Sequence, residues 1–310
     1  MACRFRDGFA YRASLFAARR EAMVAGLDTS ALESSMEMYF SRKSRKKALS
    51  TAGPFLLVVT FIEDGLRVFL RWSEQIHYMT AVMKFNYYVS VVVLLLSAAT
   101  QLGSSLLVLR PEMYKPSRVK PACYALLMFV VIQPFMYGQA TDVDFMCRSI
   151  TLAGGLLLLI WAENDRQARN EMNTGLPQGV QGAGADRLQL TGRLSLTFLF
   201  FFQALYSENG GLHKLFTAPS FFTVVSSLLL LTLSVLVCIG FKTEWSAIVL
   251  VAVLGISNLW MYPFWAVHAR LVDFYKYYFF QTLSVMGGLM LLALHGPGGI
   301  SLDKGAKKSI

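Results

Sequence analysis

Apolar residues in this chain come in long, nearly unbroken runs separated by short polar segments, not at the spacing of a half-buried helix. A bilayer core of about 30 Å needs about 20 apolar residues per helix. By that measure the pattern predicts membrane-spanning helices over 54–71, 85–109, 121–137, 145–161, 190–206, 221–240, 245–262 and 274–294. The fold class expected is an all-α polytopic membrane protein of about eight helices. An even number of crossings puts both chain ends on one side.

Charge supports this division and assigns a side. With the amino terminus in the cytoplasm, the segments 1–53, 110–120, 162–193, 241–244 and 295–310 hold 22 of the 29 basic residues. That is the bias expected of cytoplasmic loops. The basic stretch Arg42-Lys43-Ser44-Arg45-Lys46-Lys47 lies just before the first apolar run, where it orients the helix and meets anionic headgroups. The net charge of +10 is therefore read as membrane orientation, with no nucleic-acid partner. The Arg-rich, acid-poor stretch from Arg12 to Leu27 also fits a mitochondrial presequence, and no cleavable secretory signal is expected. The chain ends Lys307-Lys308-Ser309-Ile310, and lysines at the third and fourth positions from the carboxyl end form a dilysine address for return from the Golgi to the endoplasmic reticulum.

Two stretches repeat. Leu152-Ala153-Gly154-Gly155-Leu156 recurs as Val285-Met286-Gly287-Gly288-Leu289, an offset of 133 residues, and Thr60-Phe61 recurs as Thr197-Phe198. The expectation is two four-helix repeats of like orientation, with paired glycines letting helix backbones approach closely. The domains then run as a basic cytoplasmic tail (1–53), a first half (54–161), a Gly-rich cytoplasmic linker (162–189), a second half (190–294) and a cytoplasmic tail (295–310).

Chemistry is sparse. Four cysteines without a CxxC pair support neither a disulfide framework nor structural zinc. No serine–histidine–acid constellation, HExxH or phosphate-binding Gly loop occurs, so no enzyme and no cofactor are expected. Charges inside a span are costly, so Glu63, Asp64, Arg67 and Arg148 form a candidate ionic or ligand site. Arg67 can neutralise one carboxylate on its own helix face. Arg148 is the candidate to neutralise the other if the first and fourth helices pack together; alternatively one carboxylate faces a lumenal cavity and receives a cation such as a peptide amino terminus.

The run Thr60-Phe61-Ile62-Glu63-Asp64-Gly65-Leu66-Arg67 with Trp72-Ser73-Glu74-Gln75 resembles the first-helix signature of the surfeit locus protein 4 family of endoplasmic reticulum cargo receptors. The segments Gly240-Phe241-Lys242-Thr243, Phe279-Phe280-Gln281-Thr282-Leu283-Ser284 and Gly296-Pro297-Gly298-Gly299 carry the likeness onward, from about residue 54 to the carboxyl end. The resemblance implies a receptor that binds soluble secretory proteins in the lumen by hydrophobic, often proline-containing segments near their amino termini. It implies export in COPII vesicles and return by the COPI coat through the dilysine tail. The location implied is the endoplasmic reticulum membrane, cycling through the intermediate compartment and cis-Golgi.

The connections 72–84, 138–144, 207–220 and 263–273 are too short for a separate binding domain, so recognition is expected in a groove among helix ends. Trp72, Trp260, Tyr262, Phe264 and Trp265 could line it or form an interfacial belt. His77, His213 and His268 fall on the lumenal side as candidate pH sensors for cargo release. Glu163-Asn164-Asp165 has the acid-x-acid form of some export signals and equally that of a helix end. The alternative class is a transporter or lipid scramblase, for which Gln101, Gln133, Gln203, Asn258 and Gln281 would supply a polar path.

Overall fold

Each apolar run lies within a helix, apart from one or two residues at its ends. The computed structural model describes residues 29–109, 118–173, 183–206, 221–268, 271–296, 298, 299 and 301. The chain divides at Leu49–Ser50, and the described residues 29–49 of the first unit are helical. The elements are α1 (Thr29–Leu70), α2 (Trp72–His77) with a π turn (Tyr78–Val82), α3 (Tyr87–Leu109), α4 (Val119–Met136) and α5 (Val143–Asn173). They continue with α6 (Ala183–Tyr206), α7 (Phe221–Ile239), α8 (Thr243–Met261) and α9 (Val272–His295). Among the described residues five helices are long and apolar enough to cross a membrane: α3, α4, α5, α8 and α9.

Three helices, α1, α5 and α6, outrun the apolar segments that predict them by a turn or more. Pro54, which opens the first run, lies inside α1. In α5 the helix continues twelve residues beyond 161, because Glu163–Arg166 (3.5 Å) and Asp165–Arg169 (2.9 Å) pair along its surface. Glu163-Asn164-Asp165 is therefore helix interior and not a helix end. The connection after Leu70 is also ordered: Met79 of the π turn is fully buried against Val68 of α1 and Leu94 and Ala98 of α3.

Glycine fixes where the helices of the second unit cross. A Cβ on Gly154 of α5 would sit 2.5 Å from Leu196 N and 2.8 Å from Gly192 O of α6. One on Gly287 of α9 would run into Leu57 N of α1 and lie 2.7 Å from Gly53 O. These are backbone-to-backbone seams with no room for a side chain. A hydroxyl reinforces each seam: Thr151 Oγ1 of α5 accepts from Leu199 N of α6 (3.1 Å), and Ser284 Oγ of α9 accepts from Thr60 N of α1 (3.3 Å). Ser284 Oγ also donates to Leu56 O (3.1 Å), bridging one turn of the α1 ladder. Where α5 meets α9, a Cβ on Gly288 would lie 3.2 Å from Gly155 Cα.

Two apolar cores result. One collects Leu57 and Phe61 of α1, Leu126 of α4, Leu156 and Ile160 of α5 and Leu291 of α9. The other joins Leu158 of α5 to Leu196 and Phe200 of α6, Val237 of α7, Leu250 of α8 and Leu289 of α9. Helices α5 and α9 serve both. The α7–α8 turn rests on Gly240 (φ +78°) and Lys242 (φ +44°), left-handed conformations that glycine adopts without a Cβ penalty. At the carboxyl end of α9, Gln189 Nε2 of α6 donates to Gly296 O (2.9 Å), and Gly298 and Gly299 lie against Gln189 and Asp186 of the same helix.

Candidate functional site

The antiparallel α1–α9 seam starts at Gly53 and Leu291 and ends in charge. Along it follow Thr60 with Ser284, Glu63 with Lys276 (Oε1–Nζ 3.8 Å), Arg67 over the Tyr277 ring (5.6 Å) and Arg71 with Asp273 (3.4 Å). Helical spacing on both strands of the seam makes this ladder, since Glu63, Arg67 and Arg71 recur every four residues. Arg67 also pairs with Asp64 on its own helix. Both carboxylates are buried, Glu63 at 8% and Asp64 at 7% exposure, where a neighbouring cation offsets part of the cost of carrying charge.

Arg148 does not neutralise the second carboxylate. It donates from Nε to Asp144 Oδ2 (2.8 Å), one turn earlier on α5, and its guanidinium lies 4.4 Å over the Tyr278 ring. Tyr278 Oη reaches the same Asp144 oxygen at 3.4 Å. The i,i+4 spacing gives Arg148 a partner without crossing the bundle, and the cation that reaches Glu63 is Lys276. Neither partner stands out in the sequence, because Lys276 lies at the very start of the run 274–294 and Asp144 closes the connection 138–144.

Between α1, α3, α4, α5 and α9 the bundle encloses a cleft of about 460 Å³. Its inner wall includes Asp64, Gln101, Gln133 and Tyr277, each several residues inside its helix. Glu74, Gln139, Asp142 and Asp273 stand around the mouth, and Tyr78, Tyr137, Phe145, Phe274 and Tyr278 supply aromatic surface. Four carboxylates and the Arg67 guanidinium line the space; Arg67 counters Asp64, and Arg71 beside the mouth counters Glu74 and Asp273, which leaves a modest acidic bias at Asp142.

The aromatic residues expected to line a groove lie elsewhere. Trp260 is 87% exposed and Trp265 is exposed on the outer surface, as an interfacial belt would have them. Tyr262 stacks on Tyr278 (5.4 Å), Phe264 packs edge-on against Phe279 (5.2 Å), and Trp72 packs beside Val68 and Met79. None of the five lines the cleft. The aromatic signal that does was legible as Phe274-Tyr275-Lys276-Tyr277-Tyr278 at the start of the last apolar run.

His77 and His268 are exposed and outside the cleft lining, while His213 lies outside the described residues. Lys307 and Lys308 lie outside them as well. Of the polar side chains at depth, Asn258 Nδ2 donates to Phe279 O (3.1 Å) across α8–α9, and Gln281 Nε2 donates to Tyr277 Oη (3.1 Å). Gln101 and Gln133 face the cleft, and the side chain of Gln203 is outside the described set.

These helices and this cleft define a polytopic α-helical membrane protein with an acidic, aromatic-walled opening at one end of its bundle. The model of the SURF4 family matches residues 29–309. A Drosophila melanogaster relative, "Surfeit locus protein 4 homolog", is 34% identical over 268 residues, covering 86% of this chain and 93% of its own. A Schizosaccharomyces pombe protein of the same name is 33% identical over 82% of this chain and 80% of its own length. The Saccharomyces cerevisiae "ER-derived vesicles protein ERV29" is 32% identical over 92% of this chain and 82% of its own. The chain belongs to the SURF4 family. No solved structure matches it.

Proposed function

We propose that this protein is a cargo receptor of the early secretory pathway, which takes hydrophobic amino-terminal segments of soluble secretory proteins into the cleft. The cleft carries this reading: it sets carboxylates beside aromatic rings, a combination that suits an ammonium group followed by apolar side chains. Family membership and the yeast relative's name as a protein of ER-derived vesicles support the outward leg of the route. On this reading COPII carries the receptor outward, COPI returns it through Lys307 and Lys308, and both chain ends face the cytoplasm with the cleft opening to the lumen.

The matched seams support an architecture of eight helices in two halves. Thr151 and Ser284 stand 133 residues apart, the offset of the Gly-Gly pairs, and each is bonded to the first helix of the opposite half.

Removing the protein from cells is expected to hold a defined set of soluble secretory proteins in the endoplasmic reticulum, and a cross-linker placed at Asp142 should capture those same proteins. Normal secretion in its absence would remove the receptor reading. If purified protein in vesicles moves solute or lipid without cargo, the transporter class replaces it. Changing Lys307 and Lys308 together to serine is expected to shift the protein toward the Golgi and cell surface, as seen by microscopy. An unchanged distribution would exclude retrieval through this tail.

A further inference from the structure

We propose that Arg169 of α5 and Arg187 of α6 form a second contact for the coat that reads Lys307 and Lys308. This rests on the retrieval reading above and adds to it the surface of the receptor against which the coat sits.

The chain leaving α9 is fastened to α6. Gln189 Nε2 donates to Gly296 O (2.9 Å), and Ser301 Oγ donates to Gly298 O (3.1 Å). A Cβ on Gly298 would run into the buried side chain of Gln189, and one on Gly299 would run into the carboxylate of Asp186. Gly298 also has a φ of +85°, where glycine carries no Cβ penalty. The segment therefore passes along the first turns of α6 and comes up against Asp186, the residue before Arg187. Six residues lead from Ser301 to Lys307, so that lysine can stand no farther than about 21 Å from the fastened end.

What lies within that reach is set by α5 and α6. Helix α5 continues twelve residues, about 18 Å, past the end of its apolar run. Gly192 of α6 faces Leu158 of α5, and the antiparallel register then sets Arg187 level with the Glu163 turn. The ion pairs of α5 are lopsided here. Side-chain exposure is 47% for Arg166 against 9% for its partner Glu163, and 72% for Arg169 against 18% for Asp165. Arg187 is exposed as well. Carboxylates are turned inward and guanidiniums outward, so an approaching surface meets positive charge even though each pair is neutral in sum.

The occupant is fixed by chemistry and by tether length. Lysines are read by carboxylates, which are also what an exposed guanidinium binds best. A folded reader of about 100 residues has a radius of gyration of about 13 Å, comparable with the reach of the tail. Taking the lysines therefore brings its acidic face to the arginines, and two weak contacts joined by a short tether reinforce each other.

The test uses the full-length protein in phosphatidylcholine vesicles and measures binding of purified COPI coat by flotation. Arg169→Gln with Arg187→Gln should weaken binding about fivefold and flatten its salt dependence. Arg166 is left in place because its partner Glu163 is buried. Arg169→Lys with Arg187→Lys keeps the charge and should bind within about twofold of wild type. Inserting about twelve Gly and Ser residues after Ser301 triples the tether to Lys307 and should lose about fivefold in wild type. The same insertion should lose nothing further in the double Gln variant.

Equal binding by wild type and the double Gln variant would overturn the second contact. So would a loss seen only when phosphatidylserine is added to the vesicles, since the arginines would then hold lipid. Equal losses from the insertion in both backgrounds would also count against it, because length alone would explain them. Lys307→Ser with Lys308→Ser should abolish binding; full binding by that variant would remove the retrieval reading itself, and this contact with it.

Discussion

Gly287→Val is expected to abolish the folded protein. Its side chain would enter α1 at Leu57 N and Gly53 O, main-chain atoms that cannot rotate aside, and separating the helices would also break the Ser284 bridge to Leu56 and Thr60. The cost expected exceeds about 4 kcal/mol, the range reserved for severe overpacking and loss of buried bonds. Gly154→Val should behave alike, since its Cβ meets Leu196 N and Gly192 O. Gly103→Ala, where nothing lies within 4 Å of the added carbon, is the control and should change little. Thermal unfolding in detergent with size-exclusion profiles reads the outcome. A Gly287→Val protein that is monodisperse and melts within a few degrees of wild type would show that the seam is looser than described.

Arg67→Met should cost about 3–5 kcal/mol, the penalty for leaving buried carboxylates without their cation. Asp64 loses its ion-pair partner, and Lys276, which is at 3.8 Å from Glu63, cannot serve both acids. Adding Asp64→Asn should recover most of the loss, because the pair then disappears together. Arg71→Met, whose partners Glu74 and Asp273 are solvent-accessible, should cost less than about 1 kcal/mol. The measurement is a double-mutant cycle on unfolding free energy. Additive effects of Arg67→Met and Asp64→Asn would mean that the two side chains do not act as a pair.

The helices were legible because lipid demands long apolar runs, and each run matches a helix but for one or two end residues. Their ends were less so. Hydropathy stops at Trp161, whereas α5 continues on ion pairs that hydropathy does not register. The glycine seams were half legible. Gly154 and Gly287 were recognised as packing points, but the sequence paired Thr60-Phe61 with Thr197-Phe198, whereas contact geometry pairs Gly53, Leu57 and Thr60 with Gly192, Leu196 and Leu199. The contacts follow helix surface, where letters two residues out of step suffice to mislead. Glu63, Asp64 and Arg67 were found because charge inside a span is rare. Lys276, Asp144 and Tyr277 were not, because they sit at helix starts, where polar and aromatic residues are ordinary. Only the fold brings those starts against the inner charges.

The seam between α1 and α9 joins the first apolar helix to the last. While the chain is being made, α1 is complete more than 200 residues of synthesis before Gly287, Ser284 and Lys276 exist to receive it. Throughout that interval Glu63 lacks the lysine that will face it, and the Gly53 face of α1 is uncovered. Closure of the bundle is therefore a late event, and a chain shortened before α9 would present this unfinished surface to the quality-control machinery of the membrane.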